Sequence, residues 1–218
     1  LAALCPVPDA LSDDQAVFSH LASSAAQAAQ MLRAASRHYI TVIGDSPMAL
    51  ATAQVLLAQN KTTRLLFTQP DRARLCERWG MRHRAIHEPG RRQDQDVVVD
   101  CTGTPEGLTL AMQLVRPRGV IMLKSPAAGV PFPPGQPYHT SPTWTGADAR
   151  PIDLTPAVTN EVQILGCRDA SIADGLGAIA DGRVDAAALI GRRLRFDDAL
   201  QALAAAAEPG AMGIVMDM

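Results

Sequence analysis

Aromatic residues are scarce: two Trp, two Tyr and four Phe make up 4% of 218 residues. A core with so little ring volume must be filled by Ala, Val, Leu, Ile and Met. Cysteine is sparse as well. Cys5, Cys76, Cys101 and Cys167 stand far apart and form no C-x-x-C. That spacing excludes a zinc knuckle built from neighbouring cysteines and points to free thiols in a reducing compartment. Charge of one sign is missing too, with 20 Lys and Arg against 22 Asp and Glu and a formal net charge of -2. Neither a nucleic acid nor an anionic membrane surface is implied. No apolar run reaches the roughly 20 residues that a membrane-spanning helix needs. No basic segment followed by an apolar stretch marks a secretory signal. These absences lead to the expectation of a cytoplasmic globular protein, with 47% hydrophobic and 19% charged residues.

What is present is an alternating pattern. Residues 11–36 are Ala-rich and read as one long helix, with Ser12 and Gln15 spaced as a capping box. Short apolar strands are expected at 39–43, 63–68, 83–86, 96–101 and 120–124, with helices at 47–59, 70–79 and 105–115 between them. The run Asp96-Val97-Val98-Val99-Asp100-Cys101 is apolar enough to be buried on both faces of a parallel sheet. Strand and helix in alternation imply a doubly wound α/β fold with helices on both faces. Residues 126–156 interrupt the rhythm with a Pro-rich insertion that includes Tyr138 and Trp144. A sixth strand follows at 162–167, then helices at 171–181, 184–190 and 196–207, and a terminal strand at 211–216.

The chemistry-bearing feature is the turn after the first strand, Gly44-Asp45-Ser46-Pro47-Met48-Ala49. A dinucleotide fingerprint there would read G-x-G-x-x-G or G-x-G-x-x-A, its amides and helix N-terminus cradling a pyrophosphate. Gly44 and Ala49 match, whereas Ser46 stands where a glycine lets the backbone approach phosphate. The turn either holds a pyrophosphate or merely lets the chain reverse. Asp45 adds a negative charge, from a position expected to point outward. The second strand ends Leu65-Leu66-Phe67-Thr68-Gln69, without the acid that would take the ribose hydroxyls of NAD. Arg72 and Arg74 follow, and either could meet a 2′-phosphate, which tilts the expectation toward NADP over NAD. Gly44, Ser46, Pro47, Met48 and Thr68 are the expected coenzyme contacts. Thr102, Gly103 and Lys124 end two central strands at the carboxyl edge and are expected on the nicotinamide side. Cys101 reads as a buried small residue or a nucleophile, and His20 as a structural histidine or a metal ligand.

The chain resembles the medium-chain dehydrogenase/reductase superfamily, in its zinc-dependent alcohol dehydrogenase-like branch. The residues that carry the resemblance are Val7-Pro8-Asp9-Ala10-Leu11-Ser12-Asp13-Asp14-Gln15-Ala16-Val17, Val97 to Gly103, Leu114 to Gly119, Leu123 to Ser125, Gly182 to Asp185, Phe196 to Leu200 and Glu208 to Met212. The resemblance implies a Rossmann coenzyme domain at 20–182, a remnant of a GroES-like catalytic domain and its linker at 1–19, and a returning C-terminal segment at 183–218. It implies an NAD(P)-dependent hydride transfer between nicotinamide and an alcohol or polyol, with zinc in a complete enzyme, and a homo-oligomer. The family's Gly-His-Glu motif and four-cysteine zinc lobe do not occur. His20 falls where many relatives place a glutamate zinc ligand, and Phe67 where NAD-dependent members have an acid. A degenerate relative acting as a nucleotide-binding scaffold without catalysis is the other reading.

Overall fold

A computed structural model describes residues 4–90, 93–125, 152–208 and 210–217. Six parallel strands form one sheet: β1 (Ile40–Ile43), β2 (Arg64–Phe67), β3 (Arg82–Ala85), β4 (Gln95–Asp100), β5 (Val115–Leu123) and β6 (Gln163–Gly166). Their spatial order is β3-β2-β1-β4-β5-β6, the doubly wound arrangement in which the chain reverses direction across the sheet between β1 and β4. β1 and β4 are wholly buried, as the unbroken apolar runs require.

One face of the sheet carries α2 (Ser19–Leu32), α3 (Pro47–Gln59), α4 (Arg72–Arg78) and α7 (Ile172–Ala180) over a core of Ile40, Val42, Leu50, Leu56 and Leu65. The other carries α5 (Pro105–Leu114) over Ile43, Leu66, Val98 and Ile121. Each of these large side chains, fully buried, contributes roughly 1.5–3 kcal/mol. The shortage of rings is met by close helix packing. α2 buries Ala22, Ala25, Ala28 and Ala29. Where it meets α7, a Cβ on Gly175 would lie 2.0 Å from the Ser19 carbonyl oxygen, so only glycine lets the two backbones touch.

The expected helix over 11–36 is broken in two. The Ser12–Gln15 capping box is present, but it caps the short α1 (Asp13–Ala16). Phe18 then turns inward to pack on Gly213, whose Cβ would sit 2.7 Å from the ring, and burying that ring interrupts the helix before α2. β5 begins earlier than expected, at Val115, through an irregular pairing with β4 at Gln95 and Val97. A short α6 (Thr155–Thr159) precedes β6. The rest of the Pro-rich insertion, residues 126–151 with Tyr138 and Trp144, lies outside the described residues. The helix expected over 184–190 is only a single tight turn, Ala187–Leu189. It leads into an unanticipated strand, β7 (Ile190–Arg195), which pairs in parallel with β8 (Gly213–Asp217) around α8 (Ala199–Ala206). Among the described residues no helix is long and apolar enough to cross a membrane.

Candidate functional site

The site grows from the turn between β1 and α3. Gly44 has φ +119°, a conformation that L side chains rarely adopt, and its N–H donates to the Leu66 carbonyl at 2.9 Å. The turn is thereby tied to the carboxyl end of β2. Beside it lies a cleft of about 560 Å³, lined by Gly44, Asp45, Ser46, Thr68, Thr102 and Thr104, with Ile86, Cys101 and Leu110 forming an apolar wall. The cleft opens at the carboxyl ends of β1, β2 and β4, beside the point where the strand order reverses. Open α/β sheets bind ligands there.

Asp45 corrects the expectation that this position points outward. Its Oδ2 accepts from Thr68 N at 2.8 Å, Thr68 Oγ1 at 2.7 Å and Gln69 N at 2.8 Å. The carboxylate thus spans the turn and the end of β2. Burial alone would push its pKa up and is the largest single effect. The Thr68 hydroxyl, the two amides and Arg72 together outweigh it and hold the pKa below the ordinary value near 3.8. Asp45 is therefore ionised at neutral pH. An acid from the turn thus lies at the end of β2, next to Phe67. Phe67 itself is buried, its ring 5.8 Å from that of His83.

Arg72 is also placed differently from the expectation. It is buried, with Nε donating to the Asp45 carbonyl at 3.0 Å and Nη2 to the Gly210 carbonyl at 2.6 Å. It fastens the turn to the C-terminal segment and does not face the cleft. Arg74 is exposed on α4.

The helix N-terminus has few donors left. Ser46 is the N-cap of α3 and its hydroxyl accepts from Ala49 N at 3.3 Å. Leu50 N is bonded to the Ser46 carbonyl at 3.0 Å. Pro47, in the first turn, has no N–H. Met48 N–H is the amide of the first turn that remains for a ligand. Ser46 and Thr68 line the cleft, whereas Pro47 and Met48, in the first turn of α3, are not among its lining residues.

Thr102 and Thr104 form the second wall. Thr102 donates through N at 2.8 Å and Oγ1 at 2.6 Å to Asp100 Oδ1, and Thr104 caps α5 through Gly107 N. Gly103, φ +66°, makes the turn between them. Burial raises the pKa of Asp100, with the Thr102 bonds opposing it. Cys101 is buried and its thiol is pushed up to about 12, chiefly by burial. It is a packing residue rather than a nucleophile at neutral pH.

Lys124 overturns the expectation of a ligand contact. Its Nζ is directed under α2, donating to Ser24 O at 2.8 Å, Ser24 Oγ at 2.6 Å and Arg168 O at 3.1 Å. It clamps α2 to the end of β6. His20 lies at the start of α2 with Nε2 3.3 Å from Asp169 Oδ2. Among the described residues no group of three His, Cys, Asp or Glu side chains could hold a metal, so His20 and Asp169 stand without a third ligand.

No family model and no curated protein matches the sequence. Solved structures match the fold. A Sinorhizobium meliloti protein assigned as a zinc-binding dehydrogenase and bound to NADP is 18% identical at a TM-score of 0.77, the match covering 97% of this chain and 61% of that one. L-idonate 5-dehydrogenase from Escherichia coli is 14% identical at a TM-score of 0.78, with 98% and 59% covered. An Escherichia coli alcohol dehydrogenase complexed with NADH is 15% identical at 0.74, with 98% and 62% covered. The chain has the fold shared by these dehydrogenases and spans about three fifths of their length.

Proposed function

We propose that this chain is the coenzyme-binding half of an NAD(P)-dependent oxidoreductase of the medium-chain, alcohol dehydrogenase-like type. The observation that carries the reading is the cleft at the strand-order reversal, opened by the positive-φ Gly44 turn. Residues 20–182 would form the coenzyme domain, 1–19 a linker and domain remnant, and 183–218 the returning segment.

The described residues fit the adenosine half of a dinucleotide. The base would lie against Ile86, Cys101 and Leu110, and the ribose hydroxyls would meet Asp45. A 2′-phosphate meets a carboxylate there and no arginine, so the reading shifts from NADP to NAD. The bound coenzyme would supply the hydride acceptor. What this chain contributes is binding and orientation, with Thr68, Thr102 and Thr104 offering hydroxyls. Zinc does not fit the described residues, because His20 and Asp169 lack a third ligand. Turnover of an alcohol or polyol would require groups supplied from elsewhere.

A scaffold role without catalysis is the second reading. The depleted N-terminus of α3, with Pro47 lacking a donor and Ser46 occupying another, favours it. Calorimetry with NAD, NADH, NADP and NADPH separates the two. Micromolar binding of NAD or NADH supports the coenzyme reading, and absence of binding for all four supports the scaffold. A homo-oligomer would pair edge strand β6, where Ile164 is 38% and the neighbouring Val158 is 78% exposed; light scattering tests it.

A further inference from the structure

The end of the sheet opposite the coenzyme cleft carries a second concave surface. It lies at the amino ends of β2, β3 and β4, around a cavity of about 570 Å³ lined in part by Arg64, Arg82, Arg84, Tyr39 and Asp94. β2 and β3 run parallel in the register Arg64↔Arg82 and Leu66↔Arg84. Side chains alternate along strands, so all three arginines project from the same face. Arg64 and Arg82 are direct cross-strand neighbours, an arrangement that like charges destabilise. Arg64 and Arg84 converge again at the Gly90 loop: one point, the Cβ position of Gly90, lies 3.6 Å from Arg64 Nη1 and 3.4 Å from Arg84 Nη1.

These cations are not spent on carboxylates. Arg64 Nε donates to Thr41 Oγ1 at 2.8 Å and Nη1 to the Pro89 carbonyl at 2.9 Å. Its Nη2 is buried without a partner, a costly state for a charged donor. Among the described residues none of the three arginines has a carboxylate oxygen within 4.0 Å. Asp94 is the acid in the wall, and it already accepts from Gln95 Nε2 at 2.6 Å. Protection of an edge strand against pairing would explain arginines on β3. It does not explain Arg64 on the inner strand, its unbonded buried nitrogen, or the open cavity beside it.

We propose that this surface is a binding site for a compact phosphoryl dianion, with Arg64, Arg82 and Arg84 as the anion-holding residues. Three guanidinium charges against one carboxylate leave an excess of two, which a phosphate dianion neutralises. The planar donors of arginine suit phosphate oxygens in pairs. The site is separate from the coenzyme cleft and does not depend on that cleft binding a nucleotide.

The test is calorimetry on the full chain at low ionic strength with inorganic phosphate and with phenyl phosphate, a simple monoester. Arg82 and Arg84 are exposed, so Arg82→Ala/Arg84→Ala keeps the fold, which circular dichroism verifies. The expected result is binding that weakens about tenfold or more in the double variant and with added salt. It also weakens between about pH 8 and pH 5.5, where the ligand loses its second charge. Arg84→Glu, a single charge reversal, is expected to abolish it. Binding of phenyl phosphate alone identifies an ester as the ligand, and equal binding of both identifies the phosphoryl group itself. Failure of both anions to bind, or binding unchanged by Arg84→Glu, overturns the proposal.

Discussion

Asp45 and Thr68 close the crossover between the first two strands. The Asp45 carboxylate takes both the hydroxyl and the amide of Thr68, at 2.7 and 2.8 Å. An acid that the Gly44 turn contributes thus stands at the end of β2, where Phe67 offers none. Asp45→Asn keeps an acceptor for the amides and removes the charge. The affinity ratio of NADPH to NADH is expected to rise about tenfold, roughly 1.4 kcal/mol. The variant also tests linkage. The folded pKa of Asp45 is lowered, so its stabilising contribution is present above the ordinary value near 3.8 and is lost as pH falls through the lower folded value. Asp45→Asn should therefore melt below the parent at pH 7 and approach it in acid. A preference ratio that does not move would show that the carboxylate does not face the ribose.

Ser46 supplies the second prediction. Its hydroxyl caps α3 by taking Ala49 N–H, a donor that a pyrophosphate would otherwise use. Ser46→Gly restores the second glycine of the fingerprint, removes a Cβ from the path of the backbone and frees that amide. Glycine is a tolerable N-cap, so the helix loses only a few tenths of a kcal/mol. ADP-ribose is expected to bind about tenfold tighter to the variant, with adenosine unchanged. An equal gain for both ligands, or a gain for neither, would rule out a pyrophosphate at this turn.

The sheet was legible because its central strands are short apolar runs, such as Val97-Val98-Val99, separated by helix-start chemistry at Pro47 and Pro105. Gly44 marked the site for the same local reason. The direction of the Asp45 side chain was not legible. It follows from the backbone at Gly44 and from amides at Thr68 and Gln69, more than twenty positions away. Arg72 likewise bonds the Gly210 carbonyl across 138 positions, a contact that no window contains. β7 was missed because Gly191-Arg192-Arg193-Leu194-Arg195 has one large apolar residue. Just before it, Ala186-Ala187-Ala188 favours helix until the burial of Val184, Ala186 and Leu189 overrides that propensity. Phe18 broke the first helix in the same way, by a contact with Gly213 near the other terminus.

Lys124 is assigned a structural role, and that role is measurable. Its ammonium satisfies Ser24 O, Ser24 Oγ and Arg168 O while only 8% exposed. Lys124→Met fills the space and removes the ammonium from Ser24 O and Ser24 Oγ, while Arg168 O keeps the bond it accepts from Ser24 Oγ at 3.0 Å. A loss of about 3 kcal/mol is expected, read from the denaturant midpoint at constant slope. Nucleotide affinity of the folded variant should be unchanged. Intact stability with lost nucleotide binding would instead return Lys124 to the site.

Asp100 gives the last prediction its pH axis. The carboxylate is buried against Thr102, and burial raises its pKa against the opposing Thr102 bonds. A raised folded pKa means that the fold prefers the protonated acid. That contribution is fully present below the ordinary value near 3.8 and is lost as pH rises through the folded value. At neutral pH the parent therefore bears the cost of a buried charge. Asp100→Asn retains an oxygen to accept Thr102 N and Oγ1 but carries no charge. The variant should melt above the parent at pH 7, and the gap should close as both are titrated below the ordinary carboxylate range. Asp45 and Asp96, whose pKa values are held below the ordinary one, are common to both proteins and cancel in the difference. A variant less stable than the parent at pH 7 would mean that the ionised carboxylate is favoured by the fold, with the Thr102 bonds outweighing its burial.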